Sequence, residues 1–282
     1  MQAIDPAEAV EQGYLFELLR TRHAEQVPMQ ELLAQVRYEL LTTTKLPMAV
    51  DYLLTELRHS GLMAPAMRQL KHYFTPFQAF LISMAEEETG RFLMLTALQI
   101  LEGEAKYRAT MVDGDVGKTK ATAQGMFFYH FEAICRNRLP YDEGLTAASF
   151  DPIYDKSWAK WILSLRAELG LVDLADLILI ASDEYAQRLE QAGRDPDEKG
   201  PYLFGIKEGR IAMGNRGKDP LYLFSAMQRH LGYPAVPKLE KRDDTNEIIP
   251  QMARRIERLE SRIKLLEEEA RGGVDITKFY KK

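Results

Sequence analysis

Along most of the chain apolar residues recur every three or four positions, the period of a helix with one buried face. Asp5-Pro6-Ala7-Glu8 supplies an N-cap, a first-turn proline and an acid at the positive end, predicting a helix to about Arg22. Helices are expected over residues 29–43 and 47–59, punctuated by Pro28 and Pro47 and stopped at Gly61. A short one should cover Pro65 to Tyr73. Thr75-Pro76 opens what reads as the longest helix, residues 76–108. Phe77, Leu81, Met84, Ala85, Phe92 and Leu95 share one face of it, and Ile82, Leu93 and Ile100 a second. A helix apolar on two sides belongs at the centre of a bundle.

Residues 112–125 (VDGDVGKTKATAQG) and 139–152 (LPYDEGLTAASFDP) read as connections around a helix ending near Arg138. Residues 157–169 form another helix, closed by Gly170. Asp173 caps a further helix to about Gln191, with Asp176 as the second half of a capping arrangement. From Arg194 Gly and Pro become frequent. Residues 202–214 (YLFGIKEGRIAMG) read as a β-hairpin turning at Lys207-Glu208-Gly209, and Asp219-Pro220 opens a helix to His230. The expected fold is mainly α: a multi-helix domain over 1–195 and a small basic α+β appendage, hairpin plus helix, over 196–237. A linker over 238–248, a coiled coil over 249–270 and a tail over 271–282 complete it.

The most regular segment is the C-terminal one. With Ile249, Ile256, Ile263 and Ala270 at heptad position a, Met252, Leu259 and Leu266 fall at d. Ile at a with Leu at d favours a parallel two-stranded coil. Arg255 and Arg262 fall at g, Glu260 and Glu267 at e, so each arginine would face a glutamate of the partner. The alternative is an amphipathic helix folded back on its own domain. Three heptads span roughly 33 Å and are marginal alone, so a dimer would need further support.

Composition narrows the classes. A net charge of −5 over 282 residues speaks against a general nucleic-acid coat. The single cysteine, Cys135, excludes an intrachain disulfide, and no apolar run reaches the roughly 18 residues of a membrane span. With no cationic apolar leader at the start, a cytoplasmic protein is expected.

No complete catalytic set emerges. Gly114–Thr119 (GDVGKT) lacks the first glycine of a phosphate loop and follows a helix. Glu56 and His59 form half of a di-iron motif whose other half is missing. Glu88 lies in an apolar stripe, where a carboxylate could titrate abnormally, but Arg91 offers it an ion pair. His130 and Cys135 are five residues apart, on different helix faces, and Cys135 reads as core. Residues 199–238 are basic. There Lys207, Arg210, Arg216 and Lys218 are candidates for an anion, before a helix start at Pro220.

These observations imply a non-catalytic, self-associating scaffold or adaptor that dimerises through its C-terminal coil. The expected partner is a second copy, with no cofactor, metal or membrane. The alternatives are a regulator holding an anionic ligand, an acidic protein or a nucleic acid on the basic segment 199–238, and an enzyme with a pocket among the helices.

Overall fold

The computed structural model describes residues 4–87, 92–110, 120–195, 201–237 and 244–270; in the last span side chains are described for 252–264, 266 and 267. The described residues hold fourteen helices. They are α1 (Pro6–Ala24), α2 (Met29–Val36), α3 (Leu46–Ser60), α4 (Ala64–Gln69), α5 (Pro76–Glu86), α6 (Met94–Ala109) and α7 (Ala123–Arg136). There follow α8 (Tyr141–Ser149), α9 (Lys156–Glu168), α10 (Leu174–Ile180), α11 (Asp183–Gln191), α12 (Ile206–Gly214), α13 (Pro220–Leu231) and α14 (Asp244–Ala270).

Side chains close many of the helix starts by taking up amide groups that have no partner within the helix. Asp5 accepts from the Ala7 amide, Asp155 from Trp158 and Asp219 from Leu221. Thr75 and Gln78 form a reciprocal capping box. Gly61 and Gly232 end α3 and α13 in the left-handed conformation that favours glycine.

Four expectations are corrected. The helix expected over 76–108 is two helices, because Glu87 is extended (ψ 140°) and ends α5. The expected connection at 139–152 contains α8, capped by Gly232-type geometry at neither end but started after Pro140 and carrying Asp142 and Glu143 in its first turn. The helix expected from Asp173 to Gln191 is α10 and α11, divided at Ala181-Ser182. Residues 206–214 form α12, not the second half of a hairpin. Gly209 is there to permit packing rather than a turn: a Cβ on it would lie 2.3 Å from Ser182 Oγ and 2.7 Å from Glu184 Cβ. The extended pairing among the described residues amounts to isolated bridges, Leu169 with Val172 and Ser182 with Phe204.

Neighbours in sequence are mostly neighbours in space. α1 lies along α6 and touches α2, α2 packs on α3, and α4 on α5. α5 meets α6 and α8, α7 meets α8 and α13, and α12 contacts α10, α11 and α13. The innermost element is α7, whose residues from Gly125 through Ile134 are all buried. α5 is almost as enclosed. Phe127 and Phe128 join Trp158, Trp161 and Phe204 in an aromatic cluster that draws residues 203–236 into the same core.

Tyr129 is fully buried and donates to the Ile100 carbonyl oxygen at 2.7 Å, directly beneath Gly103 of α6. A Cβ at position 103 would come within 2.4 Å of that hydroxyl oxygen. Gly103→Ala is therefore expected to destabilise by about 1–3 kcal/mol, reversing the usual gain of alanine in a helix interior. Urea unfolding measures it; an unchanged or raised midpoint would show that α6 and α7 can part without cost.

Candidate functional site

α14 packs against α3, and the face it turns inward is its polar one. In the heptad frame Arg254 and Ser261 occupy f, Glu257 b and Arg258 c. Arg254 donates to the Ala85 carbonyl oxygen at 3.1 Å, and Arg258 to that of Glu86 at 2.9 Å. Those carbonyls belong to the last turn of α5, where no helical amide remains to reach them. Two guanidinium groups thus cap a negative helix end. Ser261, further along the same face, is buried. Gly61 lets the helices approach: a Cβ there would lie 2.8 Å from Arg258 Cγ and 3.1 Å from its Cα.

Glu86 completes the junction. Its carboxylate accepts from the amides of Met63 and Ala64 at 2.6 and 3.1 Å, tying the end of α5 to the start of α4. Burial pushes this carboxyl up to about 7, against the opposing pull of those amides, Arg258 and Arg254. Burial and the nearby Arg254 charge push His23 of α1 down to about 4, so its imidazole is neutral at pH 7.

The opposite face of α14 is apolar and open. Met252, Ile256, Leu259, Ile263 and Leu266, the expected a and d residues, are each between 51% and 62% exposed. Arg255, Glu260, Arg262 and Glu267 are exposed beside them. The side chain of Ile249 lies outside the described residues. The helix docks on its own body, as the second alternative has it, yet through the face away from the heptad seam.

The basic candidates do not converge on an open site. Arg216 pairs with Asp176 of α10. Arg210 bonds Glu184 of α11 at 2.8 Å, and the Lys218 ammonium donates to the Gly214 carbonyl at 2.6 Å. Lys207 is exposed on α12. The Gly217 amide, suited to an incoming anion, donates to Asp173 Oδ2 at 2.6 Å. Acids of the chain's own α10 and α11 stand where a ligand anion would. The GDVGKT segment and the Glu88–Arg91 pair lie outside the described residues. Cys135 packs against the core, where burial lifts its thiol to about 12 and leaves it protonated.

One polar group went unnoticed in the sequence. Glu104 and Arg108 of α6, His130 of α7 and Asp151 after α8 are all buried together. Arg108 grips Asp151 with two bonds, 2.9 and 2.6 Å, and reaches Glu104 Oε1 at 2.6 Å. Burial alone would raise the Asp151 carboxyl, but the Arg108 guanidinium holds it below the usual carboxylate range. Ala97, Leu101, Glu104 and Arg108 form one helical stripe, all buried, so the sequence signal was an apolar stripe ending in charges. No protein-family model matches the chain, and no curated protein or solved structure matches it either. No described helix is long and apolar enough to cross a membrane.

The raised Glu86 value has a definite sign. The folded carboxyl sits above the ordinary 4.5, so its contribution to stability is complete below pH 4.5 and is lost as the pH rises through 7. Glu86→Gln should flatten that part of the profile, removing a loss of about 1–2 kcal/mol over the window. Thermal melts at several pH values measure it, and equal slopes for both proteins would rule out a strained Glu86.

Proposed function

We propose that this is a self-associating, scaffold-type protein in which α14 pairs two copies as a parallel coiled coil. One observation supports the reading above the others: α14 meets its own body through its polar face and leaves its apolar seam in solvent. A surface helix ordinarily does the reverse. Contiguous exposed apolar residues of this kind mark interaction surfaces. A second copy is the occupant that fits, because the seam is self-complementary. In parallel register Arg255 meets Glu260 and Arg262 meets Glu267 of the partner, opposite charges on both sides of a two-fold axis. The bodies, held on the outer faces, would not obstruct the pairing.

Light scattering on the full chain tests this. The expected mass is twice the 32.3 kDa of one chain. Ile256→Asp with Leu259→Asp should give the single-chain mass with unchanged helical circular dichroism, since both side chains point away from the core. A double variant Arg255→Glu, Arg262→Glu should dimerise weakly alone, as should Glu260→Arg, Glu267→Arg, while the two mixed together should pair. A wild-type chain that stays at 32.3 kDa up to about 100 µM, far above typical working affinities, would remove the proposal. Self-pairing of the charge variants without rescue on mixing would remove the parallel register.

A further inference from the structure

The buried group on α6, α7 and the segment after α8 has the makings of a metal site. Glu104, His130 and Asp151 each offer one donor atom, and the three atoms lie within 4.8 Å of one another. All three residues are at most 2% exposed. Among the described residues, Glu104 Oε2, His130 Nε2 and Arg108 Nε have no hydrogen-bond partner. An unsatisfied buried polar atom costs about 1–3 kcal/mol, and the first two can each offer an electron pair to a ligand between them.

The spacing separates the possibilities. His130 Nε2 lies 3.6 Å from Glu104 Oε1. That is too long for a hydrogen bond, which would draw the atoms to about 2.8 Å. Two donors on one tetrahedral ion, each about 2.1 Å from it, stand about 3.4 Å apart. Charge points the same way: two enclosed carboxylates face a single guanidinium.

The surroundings would hold such ligands in place. The Phe77 ring stacks on the His130 imidazole, centroids 4.0 Å apart, and fixes its plane. The Tyr154 hydroxyl lies 3.4 Å from Nδ1, leaving Nε2 turned toward Glu104. Arg108 positions both carboxylates, and the Ile153 amide donates to Asp151 Oδ1 at 3.0 Å.

We propose that Glu104, His130 and Asp151 bind a divalent first-row transition ion, with Arg108 as a positioning residue for both carboxylates. Mixed imidazole and carboxylate donors suit zinc, manganese or iron rather than a soft thiolate-seeking metal. The enclosure makes the role structural: the ion would tie α6 and α7 to the chain after α8.

The test uses the full chain, treated with chelator and then titrated with Zn2+, Mn2+ or Co2+. The expected result is one ion per chain, a raised melting temperature, and visible Co2+ bands of a site with nitrogen and oxygen donors. Glu104→Gln and His130→Gln should each weaken binding at least tenfold. Should either variant fail to fold, the wild-type Co2+ spectrum and stoichiometry decide alone. Absence of binding by all three ions to folded wild-type protein would overturn the proposal. So would binding that survives both substitutions undiminished.

Discussion

The capping of α5 by Arg254 and Arg258 decides what this molecule shows to its surroundings. A helix ends with carbonyl groups that carry partial negative charge and have no partner in the chain direction. Hydrogen bonds from a charged donor to such groups are stronger than neutral ones, and two from one helix fix both its height and its rotation. Once those arginines face inward, the 100° step of the helix places Ile256, Leu259 and Ile263 outward. The exposed seam is thus a consequence of which residues were chosen to cap α5.

Glu86 shows how tightly the elements are tied at that point. Its side chain serves α4, its carbonyl serves α14, and its position ends α5. A carboxyl doing this work is drawn out of water, and burial lifts its pKa. The Glu104–Arg108–Asp151 group is a second tie, joining α6 to the segment between α8 and α9. Buried charges of this type add little net stability, because desolvation offsets attraction, but removing one partner strands the others. Both ties therefore specify an arrangement more than they strengthen it.

What could be read from the chain divides along the range of the interactions. Caps at Asp5, Thr75 and Gly61 depend on residues a few positions apart, and they stand where they were expected. The heptad pattern of α14 is local in the same sense, and its helix is present. The misreadings are non-local. Gly209 looked like a turn glycine because its reason, contact with Ser182 and Glu184, lies some 25 residues away in a separate helix. At the break before Glu87 the freed carbonyls are taken up by arginines of α14 that no window around residue 87 contains. The basic segment looked like an anion site because Asp173, Asp176 and Glu184 precede it by tens of residues. His130 was visible as a histidine, but Asp151 and Glu104 join it only through the packing of α6, α7 and α8.

The docking of α14 also bears on why so short a coil could suffice. An isolated helix of three heptads has to order its backbone before it gains any contact with a partner, and that ordering makes it marginal in water. Here the cost is met within one chain, by capping α5 and by the close approach at Gly61. In the proposed dimer the seam would meet its partner already helical and already oriented, so association would surrender less conformational freedom. Rigidity of the body would then reach such an interface through two arginines, and pairing strength would be a property of the whole fold rather than of seven seam residues.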